Sequence, residues 1–328
     1  MTAAVTATIP KIAAASAYVS TTEWYLPLSG KVAPMIALPA SRPAQDYAEA
    51  LTRARAFMAL DDDTIMPQAR TALLEGGKPS ALAVVLFHGI TNNPAQYAQL
   101  APAIAQRGVN VFVPRMPEHG DKDRMTNRLS KLTAETLLTS ANEAVDIACG
   151  LGERVALLGI SMGGTIAAYF GQHRSVALAV PVAPDFALLQ LPYGVSRLLA
   201  RIVLFFPNFF FWWDPRAGIK QRPLTAYPRC STHALMQTLR AGDDVYASAK
   251  ARKPLADRLI AVVNRCDPAV NNEATADVCR EWSASKPGSV SYVEMRNLPE
   301  NHDIIDPANP LARTDLVYPK LLEVLGLS

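Results

Sequence analysis

The sequence predicts an α/β chain, a mostly parallel sheet flanked by helices and interrupted by one inserted helical cap. Three observations carry this. Short apolar runs of strand length alternate with runs of helical period from Ala69 to Val182. A serine stands between glycines in Gly159-Ile160-Ser161-Met162-Gly163-Gly164, directly after one strand pattern and before a helical one. The alternation stops after Pro184-Asp185 and resumes near Leu259. At 328 residues, 50% of them hydrophobic, the chain is long enough for one large core, as open α/β sheets of this size often have.

Residues 1–43 show no sustained period, while Ala44 to Leu60 has helical spacing through Tyr47, Leu51, Phe57 and Met58. Residues 1–68 therefore read as an N-terminal extension with one helix, and 69–328 as the main domain. There the reading gives a strand at Ala69–Leu74, a turn at Gly76-Gly77, and an apolar strand at Ala81–Phe87 ending in His88-Gly89. A helix at Pro94–Arg107 and a strand at Asn110–Val113 follow. After a polar loop come a helix at Ala134–Leu151 capped by Thr133, a strand at Arg154–Gly159, a helix at Met162–Gln172 and a strand at Val176–Val182. Residues 186–255 break the pattern and read as a cap over the carboxyl ends of the strands, where open α/β sheets bind ligands. The strand Leu259–Asn264, the helix Glu273–Ser285, the strand Val290–Glu294 and a final helix at Leu311–Leu327 complete the chain.

The formal net charge of +3 gives no whole-protein reason to expect nucleic acid. The charge is uneven, however: residues 186–255 hold ten Lys and Arg against three Asp. Cys149, Cys230, Cys266 and Cys279 are too scattered for a disulfide scaffold and read as buried free thiols, with a Cys266–Cys279 bridge left open. No C-x-x-C pair or H-E-x-x-H run points to a metal, and no cofactor is expected. The first twenty residues make a poor signal peptide, with Pro10 and Lys11 interrupting the apolar stretch. The most apolar run, Ile202 to Trp213, is bounded by Arg201 and Asp214, broken by Pro207, and shorter than the roughly 20 residues a spanning helix needs. A cytoplasmic chain with no membrane span is expected.

The glycine-flanked serine has the form of a nucleophile elbow. A sharp strand-to-helix turn strains its central residue and crowds the positions two before and two after it, which Gly159 and Gly163 relieve. A serine hydroxyl is a weak nucleophile at neutral pH and needs a base, and the base needs an acid to hold its tautomer. Asp267, in the loop after the strand Leu259–Asn264, and His302, in the loop after the last strand, supply these in the order Ser161, Asp267, His302. Asp185 is the alternative acid, Asp267 being readable as a turn residue beside Pro268. His88, His119, His173 and His233 are weaker candidates for the base, because it should follow the acid. The backbone amides of Met162, at a helix start, and Ile90, after the structural turn His88-Gly89, are candidate oxyanion donors.

Together these residues resemble the α/β-hydrolase fold superfamily, within it the bacterial carboxylesterases and monoacylglycerol lipases. The resemblance rests on Phe87-His88-Gly89-Ile90-Thr91, on Val113-Pro114-Arg115-Met116-Pro117-Glu118-His119-Gly120, on the elbow, and on Asp267 and His302, and it covers about residues 69–328. It implies serine-dependent hydrolysis of a carboxylic ester through an acyl-enzyme, without a cofactor, and a structural role for His119-Gly120. The insert departs from the small esterases of this branch, whose insert is short and lacks the run Phe205-Phe206-Pro207-Asn208-Phe209-Phe210-Phe211-Trp212-Trp213. These aromatics read either as the cap's own core or as an acyl pocket beneath a basic surface that contacts a membrane peripherally. A lipid-like or hydrophobic acyl ester is the expected substrate. An acyltransferase or thioesterase using the same residues, and a non-catalytic lipid- or partner-binding module, are the rivals.

Overall fold

The computed structural model describes residues 36–188, 191–213 and 224–328. In chain order these form α1 (Tyr47–Met58), β1 (Ala72–Leu74), β2 (Ala83–Phe87), α2 (Leu100–Ala105), β3 (Asn110–Val113), α3 (Ala134–Leu151), β4 (Val155–Ile160), α4 (Met162–His173) and β5 (Leu178–Val182). Then follow α5 (Tyr193–Val203), β6 (Phe210–Trp212), β7 (Arg229–Ser231), α6 (Thr232–Ala251), β8 (Arg258–Asn264), α7 (Asn272–Ser285), β9 (Val290–Met295) and α8 (Thr314–Val324). One seven-stranded sheet runs in the order β1-β3-β2-β4-β5-β8-β9. Its neighbours are parallel except that β1 is antiparallel to β3.

The sheet is mostly parallel because its strands are apolar on both faces. Ala83, Val85 and Phe87 of β2 join a core with α1, α3, α4, α6 and α7, whereas Val84 and Leu86 face α2 and α8. Every residue of β2, β3, β4 and β5 is buried. Helix α3 begins at a capping box in which the Thr133 and Thr136 side chains each receive the other's backbone N–H. The single helix expected over Pro94–Arg107 is instead a 3-10 turn at Pro94–Tyr97 followed by α2. Pro102 explains the break: inside a continuous helix its ring would clash with the preceding turn, but in the first turn of α2 its missing N–H costs nothing.

Residues 36–58 pack into the main body. Asp146 of α3 accepts Ser41 Oγ at 2.8 Å and the Arg42 amide at 2.7 Å, and pairs with Arg174 at 2.8 Å. Within the expected insert, α6 lies against α4 in the helical layer, and α5 packs on α6. Strands β6 and β7 form a small antiparallel ribbon of their own. The segment before β7 is tied to the ends of the central strands: Asn93 Nδ2 donates to Thr225 O at 2.8 Å and the Tyr227 amide to Thr91 O at 2.8 Å. All four cysteines are free, so the open Cys266–Cys279 pairing is ruled out. Cys279 is buried on the inner face of α7 and Cys230 is buried, while Cys149 is half-buried and Cys266 exposed in a loop, against the expectation that all four thiols are buried. Among the described residues, no helix is long and apolar enough to cross a membrane.

Candidate active site

Ser161 sits between β4 and α4 with φ 59° and ψ −120°, a left-handed backbone that a side chain adopts only under strain. Neighbouring chain enforces it. The Ser161 amide donates to Val182 O of β5 at 2.9 Å, and Thr165 returns its amide to Ser161 O at 2.9 Å. The turn closes only on glycines: a Cβ on Gly163 would lie 1.9 Å from Phe87 O, and one on Gly159 2.1 Å from Gly163 O. An alanine at either position cannot be built without moving a central strand. Ser161 is 7% exposed, and its neighbour Met162 opens α4, where the first N–H groups have no intrahelical acceptor.

The turn after β2 lies against the serine, since a Cβ on Gly89 would be 3.5 Å from Ser161 Cβ. Its shape is held from within: the Gly89 amide donates to Gln96 Oε1 at 2.9 Å, and the Asn92 amide to Gly89 O at 3.1 Å. His88 is fully buried, its Nε2 accepting the Met116 amide at 3.0 Å and its Nδ1 donating to Gly89 O at 2.9 Å. Burial, then the neighbouring His119, push its pKa well below the usual histidine value. Burial likewise lowers His119 to about 4. The two rings meet edge to face at 4.9 Å. Neutral, buried imidazoles used as spacers fit the structural part expected of both loops.

Asp267 and His302 follow the adjacent parallel strands β8 and β9, and the sheet order brings them together. His302 Nδ1 lies 2.8 Å from Asp267 Oδ2 and 3.1 Å from Oδ1. The Asp267 side chain is fully shielded, and its Oδ1 also accepts the amides of Ala269 at 2.8 Å and Val270 at 3.2 Å. Burial alone would lower the His302 pKa, but the Asp267 charge and hydrogen bond, helped by Asp303 and Asp185, outweigh it and raise the net value. His302 Nε2 is buried with no protein partner, which leaves it the nitrogen open to a proton from elsewhere. The loop after β9 reaches across the sheet: Asn92, after β2, donates to Asp303 beside His302, so the His302 loop spans the ends of β8, β5 and β4, where Ser161 stands.

Asp185, the alternative acid, is buried and has no partner on Oδ1. Burial first, and the charge of Asp267 after it, raise Asp185 to about 7 against the pull of His302. His302 pairs with Asp267, and Asp185 stands by as a second carboxyl that holds its proton to far higher pH than an ordinary aspartate. The aromatic run divides. Trp213 faces His302 with ring centroids 6.3 Å apart and stacks with Phe211 at 6.2 Å, and Phe210 is half-buried. Phe205, Phe206 and Phe209 are about 60% exposed and Trp212 is 40% exposed, so these four neither form a cap core nor enclose a pocket. Sequence reasoning missed Thr165, whose hydroxyl accepts the Asp185 amide at 2.9 Å, and Asn92 with Asp303 and Asp306; the Asn92-Asn93 pair after the histidine-glycine turn was the available signal.

The family model described as the alpha/beta hydrolase family matches residues 84–301, most of the chain. The chain belongs to that family. This hydrolase is 28% identical over 130 residues to a thermostable monoacylglycerol lipase of Bacillus sp. strain H-257, an alignment covering 38% of this chain and 51% of the relative. It thus spans about half the length of the curated relative it matches. Among solved structures, it resembles a monoacylglycerol lipase from Paleococcus ferrophilus at 18% identity and TM-score 0.58, over 79% of this chain and 98% of that one. It also resembles a soluble variant of the Saccharomyces cerevisiae monoglyceride lipase in complex with a substrate analogue, at 14% identity and TM-score 0.60, over 78% and 90%. At these identities the two structures speak for the hydrolase fold alone.

Proposed function

We propose that this hydrolase cleaves carboxylic esters with hydrophobic acyl groups through an acyl-enzyme on Ser161. The His302–Asp267 pair at 2.8 Å, on loops that converge on the elbow serine, carries the reading. Ser161 Oγ attacks the ester carbonyl as His302 Nε2 takes its proton, and Asp267 steadies the imidazolium. The amides of Ile90 and Met162 hold the oxyanion, the proton passes from His302 to the leaving alcohol, and water repeats the sequence on the acyl-enzyme. Phe211 and Trp213 form the apolar wall beside His302 against which the acyl chain lies. The expected outcome with p-nitrophenyl esters from acetyl to palmitoyl is a rate maximum at medium or long chains; a maximum at acetyl would limit the enzyme to small esters.

The substrate reaches this site from a lipid surface. Helix α5 turns the small residues Ser196 and Ala200 inward and presents Val195, Leu198, Leu199 and Ile202 outward, with Phe205, Phe206 and Phe209 exposed beyond it. Of the two cations in residues 191–213, Arg197 pairs with Asp243 at 2.9 Å, which leaves Arg201 to meet an anionic headgroup layer. A Leu198→Ser/Phe205→Ser/Phe206→Ser variant is expected to bind vesicles containing phosphatidylglycerol at least about tenfold more weakly, because each buried large apolar side chain contributes on the order of 1.5–3 kcal/mol. Its rate on p-nitrophenyl acetate should hold. Equal sedimentation of the variant and the parent with vesicles would remove this surface from the proposal.

A further inference from the structure

Asn92 joins two loops that the proposed chemistry needs in register. Its Nδ2 donates to Asp303 Oδ2 and to Asp306 Oδ2, both at 3.1 Å, while its Oδ1 accepts the Asn93 amide at 3.0 Å. Asn92 belongs to the turn that carries Ile90, and Asp303 directly follows His302. Asn92 is 5% exposed and Asp306 1%. The carboxyls are fixed in turn: Asp303 Oδ1 accepts the amides of Ile305 and Asp306, and Asp306 Oδ1 accepts that of Ala308 at 2.8 Å. Tyr318 of α8 pins the same loop by donating to Ile305 O at 2.8 Å. A half-buried and a buried carboxyl thus share one neutral amide.

We infer that Asn92, Asp303 and Asp306 are a clasp of positioning residues that sets His302 against the oxyanion turn and responds to pH through the carboxyl pair. The inference rests on the hydrolase reading for its catalytic part. Burial, and then the Asp303 charge, raise Asp306 to about 6, against the hydrogen bonds from Asn92 and Ala308. The other titratable groups facing the pair are His302, whose pKa Asp303 helps to raise, and the tyrosines Tyr97 and Tyr318, both raised chiefly by burial and held neutral. A raised carboxyl binds its proton more tightly in the folded chain than in the unfolded one. Its stabilising contribution is complete below the ordinary value of 3.8 and is lost as the pH rises through about 6, when Asp306 ionises. The protonated clasp is the tighter one.

Two variants test this on the full chain. Asn92→Ala should lower kcat on a short soluble ester by about 30-fold with KM within about twofold, since misplacing a catalytic group by about 1 Å costs up to 100-fold. Asp306→Asn, which removes the charge but can accept only one of the two hydrogen bonds, from Asn92 or from the Ala308 amide, should lose a smaller factor. Its melting temperature relative to the parent should climb between pH 4 and 7, because only the parent is destabilised in that window. An Asn92→Ala protein that melts like the parent and keeps its kcat would overturn the positioning role, and a pH-independent difference in melting temperature would overturn the pH response of Asp306. A parent chain inert toward every ester would sink the hydrolase reading, and the melting comparison would still decide the carboxyl pair.

Discussion

Ser161→Ala is expected to lower ester turnover by about 100,000-fold while leaving the fold intact, as removal of a serine nucleophile does elsewhere. The fold should survive because the strained turn is held by the Ser161 amide and carbonyl, not by the hydroxyl. The elbow glycines, which carry the close contacts with Phe87 and with each other, stay in place. Residual activity above water should remain, from the oxyanion donors and binding alone. A covalent phosphonate probe should label the parent and not the variant. Turnover within tenfold of the parent would remove Ser161 from the chemistry and, with it, the acyl-enzyme.

Asp267→Asn is expected to cost about 10,000-fold in kcat, because an amide donating toward His302 Nδ1 holds the ring in the wrong tautomer for Nε2 to accept a proton. The variant also has a signature in pH. His302 acts as a base only when neutral, so activity falls as the pH drops through its pKa. Asp267 supplies the largest upward influence on that pKa, and without it the acid limb of kcat/KM should move to lower pH. A loss below tenfold would instead assign the acid to Asp185, which faces the same histidine electrostatically. A combined Asp185→Asn/Asp267→Asn protein would then show the full loss.

Why the choice between these two carboxylates was open in the sequence, and closed in the structure, follows from the strand order. Asp185 follows β5 and Asp267 follows β8, and each is a polar residue at the carboxyl end of a strand with a turn-forming neighbour. Nothing local separates them. In the sheet β9 pairs with β8 and not with β5, so the loop carrying His302 descends on Asp267. The same loop reaches Asn92 across the ends of the intervening strands, a contact between residues more than two hundred positions apart. The aromatic run shows the converse limit. Its composition fitted a buried lining equally well, and only the packing of α5 through Ser196 and Ala200 left Phe205, Phe206 and Phe209 outside.

The sequence alone determined what depends on short-range physics. Runs apolar on both faces specified the strands of a covered parallel sheet, Gly159 and Gly163 specified a turn tight enough to strain Ser161, and the chain order of Ser161, Asp267 and His302 named the residues proposed for the chemistry without separating hydrolysis from acyl transfer. The break before α2 was missed, one helix being read over Pro94–Arg107 although Pro102 was the available signal. The tertiary structure decided which carboxyl meets His302, which aromatics face it, and what ties its loop to the turn beside Ser161. Backbone conformation and periodicity are properties of neighbours in the chain. The pairing of side chains at a site is set by strand order and loop reach, which bring together residues that no local pattern relates.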